Sequence, residues 1–199
     1  MAQAAAALDT RTVILDAAKQ VLRERGYAAL STREVATAAG APLSQIHYHF
    51  GSKQGLVLAL FEYLNAQLLE RQEALFNDPS LSLADQWDRA CAYLDDDLAS
   101  GFVRVMHELA AAGWADAQVG AVVRASLLAW GRLVTKVAQN FEARVGGFGP
   151  LSGEDVGALV SNAFIGAESL LLTGLEKEGF PARESLRRVG ALIRVLEKR

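Results

Sequence analysis

"STREVATAAGAPLSQIHYHFGSK", residues 31–53, reads as a helix, a tight turn and a second helix. Thr32 opens the first helix. Its hydroxyl can cap the amides of the first turn, and Glu34 brings negative charge to the positive end of the helix dipole. Val35 and Ala36 offer the buried side. Gly40 stops the helix in a left-handed conformation that costs glycine little. Pro42 suits the first turn of the next helix, about Leu43 to His49, where Ile46 and Phe50 stand four apart as an inward stripe. Small residues sit where the two helices must cross closely, the pattern of a helix-turn-helix. Two of the chain's three histidines, His47 and His49, flank Tyr48 on this short second helix. A polar aromatic cluster at that place calls for a reason other than packing.

On the N-terminal side, Leu8 to Arg25 has Val13, Ile14, Ala17, Ala18, Val21 and Leu22 at three- and four-residue spacing, which predicts a helix capped by Asp9 or Thr10 and ended by Gly26. Tyr27 and Leu30 of the connector point inward. On the C-terminal side, Ser52 caps a helix running to about Phe76. Further helices are expected over Leu83–Ala99, over a short stretch after Gly101, and over Asp116–Ala143, Glu154–Lys177 and Pro181–Leu196. "GGFGPLSG" forms the clearest loop of the second half. No segment reads as a strand and no internal repeat is visible. The fold class is therefore all-α, with an N-terminal three-helix domain over 1–52 and a larger helical domain over 53–199.

With 199 residues, 51% hydrophobic, the chain can bury a sizeable core. One cysteine excludes an intrachain disulfide and fits a reducing, cytoplasmic setting. The start has no basic stretch ahead of an apolar core, as a signal peptide would have. No apolar run approaches the ~20 residues that cross a bilayer, so no membrane partner is expected. The net charge of −3 argues against a generally sticky polycation. Its distribution is uneven: residues 1–56 carry six basic against four acidic residues, and the remainder fourteen against nineteen. That split permits an N-terminal nucleic-acid face.

The ordered set of a helix ending in Gly26-Tyr27, Thr32 at a helix start, "VATAAG" (35–40), "IHYHF" (46–50) and Ser52-Lys53 leading into "GLVLALFEYL" resembles the TetR family of bacterial transcriptional regulators. The resemblance rests on the N-terminal ~50 residues; beyond them only the helical layout is similar. It implies a recognition helix at about 43–49 lying in the major groove, and a larger helical domain for ligand binding and dimerisation. The chain departs from the family at Pro42, where Ser or Thr is common, at Leu43, where a polar residue is common, at Ser44 for Gly, and at His47 for Tyr. These departures bear on the operator sequence and leave the fold expectation intact.

On that reading Leu43, Ser44, Gln45 and His47 face base edges. Gln45 can bond an adenine edge bidentately, Leu43 can touch a thymine methyl, and His47 can donate to guanine N7 or O6 or to a phosphate. Tyr48, His49 and Lys53 hold phosphates, with Thr32 and the amides of its helix start. Lys53 at a helix start opposes the dipole, which makes sense if an external anion shares the site. Arg33 is either a solvated charge or a further DNA contact, and His49 either a packed histidine or a phosphate ligand. No metal site is expected: positions 47 and 49 lie on different helix faces, without a Cys or acidic partner.

In the second domain Trp87, Tyr93, Phe102, Met106, His107, Trp114, Trp130 and Asn162 are the candidate ligand-binding residues. Most aromatics at helical spacing are ordinary core, but His107 and Asn162 are polar residues within apolar helices. Burying either unpaired would cost roughly 1–3 kcal/mol. The candidate dimer interface uses Leu159, Val160, Ala163, Phe164 and Ala167 of one helix and Leu186, Val189 and Ile193 of the last. A pair of such helices from each subunit makes a four-helix bundle; the same faces packing within one subunit is the alternative. The expected function is that of a homodimeric regulator, a repressor, that binds a pseudo-palindromic double-stranded operator and is released by an unknown apolar small-molecule effector. No cofactor is indicated. There is no Gly-rich phosphate loop, Ser/His/Asp layout or metal cluster, so an enzyme is not expected. An all-helical enzyme acting on a hydrophobic molecule and a dimeric protein-binding adaptor stay open as alternatives.

Overall fold

The structure is a computed structural model. It describes residues 2–198, with side chains from residue 10 onward. Its described residues form nine α-helices: α1 (Ala2–Arg25), α2 (Thr32–Ala38), α3 (Leu43–Phe50), α4 (Lys53–Phe76), α5 (Leu83–Ser100), α6 (Phe102–Ala112), α7 (Ala117–Val145), α8 (Gly153–Leu172) and α9 (Ala182–Leu196). An isolated bridge between Phe148 and Leu151 pins the loop between α7 and α8. The all-α expectation is met.

By packing, the chain divides into two compact units. One comprises residues 1–66 with 97–122; the other comprises residues 67–96 with 123–199. The N-terminal unit thus extends past residue 52, because α4 and α6 build its core together with α1 to α3. Leu15, Ala18 and Leu22 of α1, Val35 of α2, Ile46 of α3, and Leu56 and Leu60 of α4 are all almost fully buried. Phe61 of α4 stacks on Phe102 of α6 with ring centroids 5.7 Å apart. Val13, placed inward by its spacing, is exposed. α3 is pinned from both sides. The Arg11 guanidinium lies 5.6 Å over the Phe50 ring, and Gly55 brings α4 so close that a β-carbon there would sit 2.0 Å from the Phe50 carbonyl oxygen.

Three local signals act one step away from where they were expected. Ser31, not Thr32, caps α2, accepting from the Glu34 amide at 3.2 Å. Thr32 is the first helical residue, so its hydroxyl is not the cap. α1 begins at Ala2, ahead of Thr10, which lies inside the helix; the Asp9 side chain falls outside the described residues. α8 stops at Leu172, where Gly174 takes a positive φ and a 3₁₀ turn follows over Leu175–Glu178. Ser52 caps α4 as expected, accepting from the Gly55 amide at 3.0 Å.

In the C-terminal unit, α8 closes on α7 through Gly153 and Gly157. A β-carbon at Gly157 would meet the Thr135 Cα at 2.6 Å. Ser152 and Asp155 form a reciprocal capping box at the α8 start. α9 lies against α5: the Trp87 indole N–H donates to the Leu186 carbonyl at 2.8 Å, and Arg183 and Arg187 both pair with Asp95.

Candidate nucleic-acid interface and ligand cavity

α3 is short, and its two faces differ sharply. Ile46 and Phe50 are buried, whereas Ser44, His47 and Tyr48 are exposed; Leu43, Gln45 and His49 are half-buried. Tyr48 is 77% exposed, which packing alone does not explain for a residue of that size. The His49 ring stands edge-on to Tyr48 at 5.0 Å and tilted against Phe50 at 6.0 Å, so it is shared between packing and the outer face. Gly51 ends the helix at φ 72°.

His47 Nδ1 lies 3.3 Å from the Gly51 carbonyl oxygen. When Nδ1 carries the proton it donates there, and Nε2 of the neutral ring becomes an acceptor. That tautomer does not suit guanine N7 or O6, which the sequence suggested. It suits the amino groups of adenine or cytosine. Thr32 is half-buried at the head of α2, and Arg33 beside it is exposed with no acidic partner among the described residues. Lys53 heads α4, exposed, with its ammonium 5.9 Å over the Tyr27 ring. Burial, with Glu108 second, holds the Tyr27 phenol above its ordinary pKa, so Tyr27 is a neutral platform for that cation.

The C-terminal unit encloses a cavity of about 460 Å³, bounded by α5, α7, α8, α9 and the Phe148 loop. Its wall is hydrocarbon: Trp87, Trp130, Val134, Phe141, Phe164 and Ile193 contribute to it. Trp87 and Trp130 both stand edge-on to Phe164, at 5.5 and 5.8 Å. With its indole N–H bonded to Leu186, Trp87 offers the cavity no unmet donor.

Of the eight candidate ligand residues, Trp87 and Trp130 line this cavity and the other six do not. Tyr93 lies under the Arg71 guanidinium at 4.2 Å. Phe102 and Met106 are buried in the N-terminal unit, which also holds His107. Trp114 is 89% exposed and Asn162 is exposed on α8. Helical spacing identifies inward faces but not which of two cores they enter, as Phe102 and Met106 show, while Trp114 and Asn162 enter neither. Val134 and Phe141 of α7 and Phe148 of the following loop also line the cavity, and a lone Val or Phe carries no sequence signal beyond core.

The candidate interface residues divide between the cavity wall, the interior of the unit and its outer surface. Val160, Phe164, Val189 and Ile193 line the cavity, and Ala167 and Leu186 are buried within the unit. Leu159 and Ala163 alone of that set are exposed; Leu192 and Val195 of α9 are exposed as well, and Leu192 also reaches the cavity wall. α8, although interrupted by polar residues, is the one described helix that is long and apolar enough to cross a bilayer. This holds by length and composition over its 20 residues, with two of its three acidic residues in the first turn, and 22% of its most apolar window is buried.

An outward-facing short helix held by a buried stripe, behind a second helix and a glycine turn, defines the helix-turn-helix class. Residues 14–60 match the family model for bacterial regulatory proteins of the tetR family. Over 103 residues the chain is 37% identical to the HTH-type transcriptional regulator CymR of Pseudomonas putida, an alignment that covers 49% of this chain. The chain spans about half of that relative's length (50%). Solved structures of similar fold include a TetR transcription regulator from Haloarcula marismortui, with TM-score 0.70, 19% identity and coverage of 93% and 96% of the two chains. Another is the reduced form of E. coli NemR, with TM-score 0.69, 17% identity and coverage of 92% and 95%. Residues 14–60 thus match the DNA-binding domain of the tetR family, and the fold as a whole is similar to that of solved TetR-type regulators.

Proposed function

We propose that the protein is a homodimeric, cytoplasmic transcriptional repressor whose α3 reads a pseudo-palindromic operator and whose C-terminal cavity takes the effector that releases it. The observation that carries this reading is the polarity of α3: Ile46 and Phe50 buried, Ser44, His47 and Tyr48 exposed. A helix that needed only to pack would not present an almost free tyrosine beside a histidine. Ser44, Gln45 and His47, with Leu43, are assigned to base edges; Tyr48, His49, Lys53, Thr32 and Arg33 are assigned to phosphates.

One short helix reads too few bases for useful selectivity. A two-fold dimer sets two of them about one helical turn apart, ~34 Å. The exposed Leu159 and Ala163 of α8 and Leu192 and Val195 of α9 supply the apolar surface for that pairing. An effector acts only by favouring one spacing of the two helices over the other; equal affinity for both would shift nothing. The test is a gel-shift titration with DNA from upstream of the protein's own gene. A sequence-selective complex that weakens steeply with salt is expected. Absence of such a complex in every ligand state defeats the proposal.

A further inference from the structure

The apolar cavity adjoins a second, wider one of about 640 Å³, and the two share Phe76, Leu83, Val137 and Phe141 in their walls. The wider one is different in character. Arg132, Lys136, Asn140 and Arg144 of α7 line it. Four-residue spacing puts all four on one stripe of the helix. Adjacent like charges on such a solvent-facing stripe repel weakly, and an anion between them removes that repulsion. Among the described residues Arg132 and Lys136 have no carboxylate partner, and Arg144 has only Glu197 at 3.8 Å. Two acids share the wall, Glu73 and Asp78. The Asp78 carboxylate is already taken, accepting from the Ser80 amide at 2.9 Å and the Ser80 hydroxyl at 2.6 Å.

A hydrocarbon chamber beside a cationic one is the complement of a molecule with an apolar body and one anionic end. We infer that the effector is an amphipathic carboxylate, its hydrocarbon in the Trp87–Trp130–Phe164 chamber and its acid on the Arg132–Lys136–Arg144 row. This rests on the effector-responsive reading above. Both chambers share Phe76, the half-buried last residue of α4, in their walls. A neutral hydrocarbon of the same length would satisfy the first chamber and leave the row unpaired. A short carboxylate would satisfy the row and leave the chamber empty.

The test titrates the full chain with decanoate, decan-1-ol and acetate, following indole fluorescence, and repeats the series with the double variant R132Q/K136Q. Both changes lie on an exposed stripe, and melting curves verify that the variant is folded. Decanoate is expected to bind the wild-type protein about ten-fold more tightly than decan-1-ol, a preference the variant loses, while its affinity for decan-1-ol is unchanged. Acetate should not bind detectably. Equal binding of acid and alcohol, binding of neither, or an unchanged preference in the variant overturns the inference. Operator release is read separately in the same samples, so failure of the regulator reading shows as charge-dependent binding with no effect on DNA.

Discussion

His47 carries two predictions in one ring. In the neutral tautomer that donates from Nδ1 to the Gly51 carbonyl at 3.3 Å, Nε2 is an acceptor, and that is the form assigned to the DNA contact. Selection of binding sites from random duplexes should therefore enrich adenine or cytosine at the base facing His47; enrichment of guanine alone would reverse the assignment. Replacing Gln45 and His47 by Ala should weaken operator binding by about 1–3 kcal/mol per lost base contact, with the salt dependence unchanged, whereas Lys53→Ala should flatten the salt dependence by about one phosphate contact. Anisotropy titrations at several salt concentrations separate the two effects. Cys91 behaves oppositely to these exposed groups. It is buried in α5, and burial, reinforced by Asp88, pushes its thiol up to about 12. The thiol is thus protonated at neutral pH, and a thiolate is the reactive form. A chromogenic disulfide reagent should label it far more slowly in the native protein than in denaturant; equal rates would contradict the buried placement.

At the scale of single elements, the junction between α3 and α4 is the tightest point in the N-terminal unit. A β-carbon at Gly55 would collide with the Phe50 carbonyl oxygen, which is backbone and cannot swing aside. Gly55→Ala should therefore cost about 1–3 kcal/mol, visible as a lower melting temperature, and should displace α3 from its operator-binding pose. Helix starts give a pH signature. Asp116 and Asp155 accept from serine, glutamine or backbone donors at the heads of α7 and α8, and these hydrogen bonds hold both carboxyls below their ordinary pKa. A group whose folded pKa is depressed contributes stability above its unfolded value, ~3.9 for Asp, and loses that contribution as pH falls through the folded value. The melting temperature should hold from neutral pH down to about 4 and fall below it. Helix limits were legible in the sequence because glycines and caps mark them chemically: Gly26, Gly40 and Ser52 stand within a residue or two of observed ends. The inner and outer sides of α8 were not legible. A helix apolar nearly all round has no strong period, so Phe164, which faces the cavity, and Leu159, which faces out, read alike.

For the molecule as a whole, the same limit explains the ligand residues. The N-terminal surface was readable because its motif is local, within 23 residues of chain. The cavity draws on α5, α7, α8 and α9, and its cationic neighbour depends on α7 turning one stripe toward Phe76 and Asn77. The cue that was present is the four-residue recurrence of Arg132, Lys136 and Arg144. It carries meaning only once the opposite side of α7 is known to be apolar. α8 and α9 expose Leu159 at 56%, Leu192 at 59% and Val195 at 58%, the surface that the proposed dimer would cover. Glutamate at 159 and 192 together should yield a monomer in light scattering and abolish operator binding while leaving the melting transition of each unit in place. Hydroxyl-radical footprinting of the bound operator joins the two ends of the molecule in one experiment. Two protected patches on one face of the duplex, centred about one helical turn apart and each lost when α3 is altered, are the expected result. A single patch, or protection that survives loss of Gln45 and His47, would mean that α3 is not what touches DNA.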